Sequence, residues 1–221
     1  MQNKCIMCNK PIDEGRQVCH ECEAMVYNDL PIIILMGKSA SGKDAILNTL
    51  VNKYNCNPVI TTTTRPMREH EINGKDYFFT TKDNFANEIC NNNFIEFRSY
   101  NTLVDNKKDV WFYGLHKFNN NINYNKVNIL ILDYNGVVKA IKHFGLNKCK
   151  VIYIDTKDSI RTKRAKQRGS FDKIEWNRRM KADKQDFKWS KIKNIVDLRI
   201  KNNDTTIDEI CKKIVDKFEV I

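Results

Sequence analysis

The amino-acid sequence predicts an α/β fold, a parallel sheet flanked by helices, with a small cysteine-organised lobe in front of it. Three observations lead there. The apolar run Ile32–Met36 enters a glycine-punctuated loop and then a helical pattern, and a second run, Val151–Ile154, again precedes helical periodicity. Two Cys-x-x-Cys pairs lie within the first 22 residues. The 221 residues are 41% hydrophobic and 10% aromatic, enough to fill a core, which excludes wholesale disorder.

The first element, residues 1–29, reads as a zinc knuckle. Cys5-x2-Cys8 and Cys19-x2-Cys22 are separated by ten residues, with Pro11 and Gly15 where the connection must reverse. Each pair turns two thiolates towards one point, and two pairs complete a tetrahedron around Zn²⁺. A segment this short cannot build its own core, so metal binding would supply most of its folding free energy. Four cysteine ligands leave no open position, so the expected zinc is structural; redox-active thiols are the alternative. His20, inside the second knuckle, reads as a surface residue. Cys56, Cys90, Cys149 and Cys211 are scattered and read as small core residues.

Charge is distributed unevenly. The formal net charge is +11, yet residues 1–29 carry −2, and residues 161–193 alone carry +9. An acidic lobe made more negative by four thiolates would be repelled by a phosphate backbone, which argues against a nucleic-acid partner and for a packing or protein-contact role. No run approaches the roughly 18 apolar residues needed to span a bilayer, and the N-terminus is polar. A cytoplasmic location without membrane contact is expected.

The second element, residues 30–221, opens with the strand Ile32–Met36 and the loop Gly37-Lys38-Ser39-Ala40-Ser41-Gly42-Lys43-Asp44. The following helix places Ile46, Leu47, Leu50 and Val51 on one face. Strand, glycine loop and helix in this order form a phosphate cradle. Gly37 and Gly42 let backbone amides turn inward, Lys43 carries a positive charge to the β/γ phosphates, and the helix N-terminus adds its partial charge. Such loops ordinarily follow the lysine with Ser or Thr, whose hydroxyl binds Mg²⁺; here Asp44 follows. Its carboxylate is an acceptable Mg²⁺ ligand, but it brings negative charge close to phosphates. Two readings stand, an altered working metal site and a disabled kinase, and the intact lysine and glycines favour the first.

Further along, Thr61-Thr62-Thr63-Thr64-Arg65-Pro66-Met67-Arg68 precedes Glu71-Ile72-Asn73-Gly74-Lys75-Asp76-Tyr77. Two arginines three apart, with a tyrosine nine residues beyond the second, can grip one dianionic phosphate. A solvated charged loop would look similar. Asn73-Gly74 is a turn signal before the strand-like Tyr77-Phe78-Phe79.

These segments together resemble the guanylate kinase family: a phosphate loop, Thr-Thr-Arg, a second Arg, then Glu-x-x-Gly-x-Asp-Tyr. The resemblance runs from about residue 31 to 218 in family order. Phe94-Ile95-Glu96-Phe97 is similar to the family's Phe-Ile-Glu-Trp, Trp111-Phe112-Tyr113-Gly114 to its Tyr-Tyr-Gly, and Leu130–Gly136 to Leu-Asp-x-Asp-x-Gln-Gly. It implies a P-loop kinase with a parallel-sheet core, an acceptor lobe over about 61–118 and a lid over about 160–185. By resemblance, Arg65, Arg68, Tyr77 and Tyr113 hold the acceptor phosphate, and Thr61, Glu96 and Asp133 contact guanine. Residues 37–44 and Asn202 hold ATP, while Lys43 with the lid residues Arg164, Arg168 and Arg179 serves transfer.

The implied activity is phosphoryl transfer from ATP to GMP or dGMP with Mg²⁺, giving GDP or dGDP plus ADP. Three departures bear on it. Leu115 stands where the family has a small hydroxyl residue contacting the guanine O6, Ile131 replaces the first Asp of Asp-x-Asp, and Pro66 is displaced to directly follow Arg65. Rival readings are an inactive guanylate-kinase-like protein-binding module, a kinase for a different or modified nucleoside monophosphate, and a zinc-dependent nucleic-acid binder. Lys43 and the lid arginines argue against the module, which has no need of them. The last helix, from about Thr205, sets Ile207, Ile210, Cys211, Ile214, Val215 and Phe218 on one packing face.

Overall fold

The computed structural model describes residues 3–19, 22, 30–104, 107–117, 121–123, 125–167 and 171–220. In chain order its elements are β1 (Ile32–Met36), α1 (Lys43–Tyr54), β2 (Asn57–Pro58), β3 (Thr62–Thr63), β4 (Phe78–Phe79), α2 (Lys82–Cys90), β5 (Phe94–Val104), β6 (Lys107–His116) and β7 (Asn128–Ile131). There follow α3 (Tyr134–Phe144), β8 (Cys149–Asp155), α4 (Asp158–Gln167), α5 (Lys173–Asp186), α6 (Trp189–Ile192), β9 (Leu198–Lys201) and α7 (Ile207–Phe218). They fall into two compact units: Met1–Leu30 with Val59–Asn125, and Pro31–Pro58 with Lys126–Ile221.

The second unit is built on a five-stranded sheet in the order β2-β7-β1-β8-β9. Every pairing in it is parallel. Central β1 is buried at all five positions, as a β-branched run covered on both faces should be. Helix α1 begins directly after Gly42 and stops at Asn55, which takes the left-handed conformation. Helix α7 starts with a capping box: Thr206 Oγ1 accepts from the Glu209 amide while the Glu209 carboxylate accepts from the Thr206 amide. Its buried stripe, Ile210, Cys211 and Ile214, packs on α1.

The first unit carries a four-stranded sheet, β4-β3-β6-β5. Its long β5–β6 hairpin is antiparallel, with a register shift between Phe94 and Glu96. The two faces differ in chemistry. One is apolar: Phe85 of α2 stacks on Phe94, 4.4 Å between centroids, and lies beside Phe97 and Phe112. A Cβ at Gly114 would sit 2.7 Å from the Phe94 ring, so close packing requires glycine there. The opposite face carries Glu96, Arg98 and Tyr100 of β5, paired in register with Leu115, Tyr113 and Trp111 of β6.

Cys56, Cys149 and Cys211 are buried as expected, but Cys90 is exposed. It ends α2, whose inward residue is Phe85, so the helix turns its final position to solvent.

Candidate functional site

The phosphate loop follows β1. A Cβ on Gly37 would lie 2.7 Å from the Ile154 carbonyl oxygen, and one on Gly42 would lie 2.5 Å from Asn202 Nδ2. Gly42 also has φ +99°, a conformation that side-chain-bearing residues rarely adopt. Sterics therefore demand both glycines. Lys43 Nζ curls over the loop and donates to the Gly37 carbonyl at 2.7 Å and the Lys38 carbonyl at 3.1 Å.

The far side of the loop is braced through the Ser41 carbonyl. It accepts from Asn202 Nδ2 (2.8 Å), Thr156 Oγ1 (3.1 Å) and Arg164 Nη1 (3.3 Å). Arg164 Nη2 also donates to Asn202 Oδ1 at 3.2 Å. Lys43, Arg164 and Asn202, distant in sequence, thus meet on one loop. Asp44 is exposed in the first turn of α1, where a carboxylate faces the positive end of the helix. As a hard oxygen donor next to the loop lysine it suits Mg²⁺.

The loop's tip is held by residues that the sequence reading left unassigned. Asp183 of α5 accepts from the Ser39 amide at 3.0 Å and from Ser39 Oγ at 3.2 Å. The same carboxylate accepts from Arg161 Nη1 of α4 at 2.6 Å, and Arg161 Nη1 donates to the Ser39 carbonyl at 2.8 Å. Arg161 has no exposed surface, and its guanidinium also reaches Asp158 at 2.9 Å and lies over the Trp176 ring. The available signal was helical spacing: Trp176, Met180 and Asp183 share a stripe at i, i+4, i+7, and an acid on a buried stripe requires a cationic partner.

Of the other lid candidates, Arg179 donates to Glu175 at 2.7 Å on the exposed side of α5, beside the Arg178–Glu175 pair. Arg168 lies outside the described residues. Asp133, at the end of β7, caps α3 by accepting from the Gly136 amide at 3.0 Å.

In the first unit, Arg65 is 4% exposed and forms a two-pronged pair with Glu71, Nη2 to Oε1 at 2.6 Å and Nη1 to Oε2 at 2.9 Å. Glu71 Oε2 also accepts from the Arg68 amide at 2.8 Å, so one carboxylate positions both arginines. The Arg65 hydrogen bond holds the Glu71 carboxyl below its ordinary range. The Arg65 guanidinium lies 5.3 Å from the Tyr77 ring, Tyr77 is 5.9 Å from Tyr113, and Tyr113 is 5.6 Å from Tyr100. Thr63, beside Tyr113 in register, donates from Oγ1 to the Phe112 carbonyl, and just before β3 the Thr61 carbonyl accepts from the Phe78 amide at 2.9 Å. Glu96 is 3% exposed, and its Oε2 has no hydrogen-bond partner among the described residues. An aromatic row of Tyr77, Tyr113 and Tyr100 therefore runs from Arg65 onto the face of β5 and β6 that also carries the buried Glu96 carboxylate.

The four knuckle cysteines lie together, with their sulfurs within 4.8 Å of one another. The chain reverses around Cys5 and Cys8, closed by a Lys4–Pro11 antiparallel bridge, and the Cys22 amide donates to Cys19 Sγ at 3.4 Å. Burial disfavours the Cys5 thiolate, but the amides of Cys19, Cys8 and Met7 outweigh it and bring that thiol down to about 6; burial pushes Cys22 up. A sulfur quartet of this size fits a tetrahedral zinc site.

A guanylate kinase family model matches residues 30–220. The chain belongs to the guanylate kinase family, a family of ATP-dependent phosphotransferases acting on nucleoside monophosphates. It is 31% identical over 143 residues to a guanylate kinase of Mycoplasmoides gallisepticum, covering 63% of this chain and 69% of that protein. With a guanylate kinase of Helicobacter hepaticus the identity is 32% over 130 residues, covering 58% and 60%. The match thus spans roughly six to seven tenths of these relatives' lengths. The crystal structure of guanylate kinase from Anaplasma phagocytophilum shares the guanylate kinase fold with a TM-score of 0.60, at 22% identity over 86% of this chain and 85% of that one. Among the described residues no helix is long and apolar enough to cross a membrane.

Proposed function

We propose that this guanylate kinase family member transfers the γ-phosphoryl group of ATP to GMP or dGMP, giving GDP or dGDP and ADP. The observation that carries the guanine assignment is the buried Glu96 carboxylate on the face lined by Tyr113 and Tyr100, whose Oε2 has no hydrogen-bond partner among the described residues. A desolvated acceptor of this kind suits the adjacent N1–H and 2-amino donors that guanine has and adenine lacks. Arg68, which is exposed, and the hydroxyls of Tyr77 and Tyr113 would meet the acceptor phosphate, with Arg65 supplying charge behind them. Thr61 and Asp133 are the remaining base-side candidates.

In the transfer, an oxygen of the monophosphate attacks the γ-phosphorus, and the bond to the β–γ bridging oxygen breaks as ADP leaves with the electron pair. The reaction needs positioning and cations rather than a covalent nucleophile. Lys43, the loop amides, Arg164 and Asn202 serve the donor side, and Arg168 and Arg179 complete the proposed lid. Mg²⁺, held through Asp44 and the phosphates, would neutralise charge on the β and γ oxygens. The domain assignment, 1–29 as a structural zinc lobe and 30–221 as the kinase, is part of the same proposal, as is a protein-contact role for the lobe.

A coupled ADP-release assay over a purine monophosphate panel tests the reading. Turnover selective for GMP or dGMP is expected. Turnover only with another monophosphate would reassign the acceptor, and none at all would favour the inactive binding module.

A further inference from the structure

The face of β5 and β6 that holds Glu96 also holds a cation two residues further along. Arg98 Nη2 lies 3.4 Å from Glu96 Oε1, its side chain is 17% exposed, and its guanidinium lies 6.0 Å from the Tyr100 ring centre. Across the hairpin, Glu96 is paired with Leu115, which is fully buried and offers no donor, and Arg98 with Tyr113. A carboxylate and a guanidinium therefore stand next to each other on a half-buried surface floored by aromatic and aliphatic side chains.

We propose that Arg98 is a specificity-determining residue for the acceptor base, forming with Glu96 a donor–acceptor pair that reads a 6-oxo purine. This rests on the guanine-nucleotide reading and adds to it. On guanine's pairing edge the O6 acceptor is adjacent to the N1–H donor, so an arginine N–H beside a carboxylate oxygen matches both at once. On adenine the order is inverted: the 6-amino group would point a donor at the guanidinium, and the bare N1 would face the carboxylate. Both mismatches leave desolvated polar groups unsatisfied, the kind of penalty that separates analogues strongly.

The test compares dissociation constants of GMP and 2,6-diaminopurine riboside monophosphate by calorimetry, for wild type, Arg98→Met and Arg98→Gln. The second nucleotide keeps the 2-amino group but carries a 6-amine and no N1–H. Wild type is expected to prefer GMP, and the preference should fall about 10- to 100-fold in Arg98→Met. Arg98→Gln, which keeps an N–H donor without charge, should recover part of it and serves as the readout if the Met variant does not fold. If Arg98 only neutralises Glu96, both variants weaken the two nucleotides alike; a preference changed less than fivefold, or a wild type without preference, overturns the proposal. Binding is measured without ATP, so a chain that binds GMP selectively but releases no ADP would fail the transfer reading while leaving this one decided.

Discussion

Replacing Asp183 with alanine tests the brace beneath the phosphate loop. The change removes the acceptor for the Ser39 amide, the Ser39 hydroxyl and Arg161 Nη1 together. Arg161, with no exposed surface, then keeps Asp158 as its one ionic partner among the described residues. Removing one member of a buried ion pair typically costs about 3–5 kcal/mol, because the other charge stays desolvated. For a chain of this size that corresponds to a fall of about 6–20 °C in Tm by thermal circular dichroism. Asp183→Asn keeps an oxygen for Ser39 but loses the charge, and should fall between wild type and alanine. The double variant Arg161→Leu/Asp183→Leu removes both charges, and should recover to within about 1–2 kcal/mol of wild type. Ser39 belongs to the loop, so the KM for ATP should rise in Asp183→Ala by a larger factor than kcat falls. An alanine variant melting within 2 °C of wild type, or a double variant less stable than the single, would refute the brace.

Four further outcomes follow from the same geometry. Lys43→Met should lower kcat about 100- to 1,000-fold with the melting temperature little changed, and a loss under tenfold would remove Lys43 from the transfer step. Glu96→Gln should raise the KM for GMP about 10- to 100-fold, and an unchanged KM would sink the base assignment. The purified protein should carry about one zinc per chain by elemental analysis, lost in Cys8→Ser and Cys22→Ser; metal-free protein with an intact lobe would contradict the knuckle. Arg65 holds the Glu71 carboxyl below its ordinary value of 4.5, so this contribution to stability is fully present above pH 4.5 and lost as the pH drops through the lowered value. The Tm gap between wild type and Glu71→Gln should therefore narrow in acid, and a pH-independent gap counts against it.

Local pattern carried the parts of the fold that were legible in advance. Strand β1 matches the apolar run residue for residue, because a short β-branched segment between a proline and a glycine loop has one good solution. The buried stripe of α7, Ile210, Cys211 and Ile214, was likewise legible in helical spacing. What remained hidden depends on pairs far apart in sequence. The segment 161–193 reads as a cationic stretch containing the lid, and nothing local says that Arg161 will meet Asp183, 22 residues later, and disappear from solvent. Arg98 lies outside every motif, and its place beside Glu96 follows only from the pleat that sets both on one face.

A common logic links these pairs. Among the described residues, each buried arginine faces a carboxylate: Arg65 faces Glu71, and Arg161 faces Asp183. An anion-binding cation cannot be buried and left bare when no anion is bound, since an uncompensated buried charge is too costly. At Arg65, whose proposed ligand is the acceptor phosphate, the Glu71 carboxylate solves this while fixing the fork's orientation, at the expense of competing with that phosphate. Phosphate can still prevail, because it carries up to two charges and three acceptor oxygens against one charge and two oxygens. Glu71 adds a second restraint through the Arg68 amide, so it sets the spacing of both cations before substrate arrives. On this view the acidic partners are part of how the sites are pre-organised, and substituting them should loosen substrate geometry even where it raises the net positive charge.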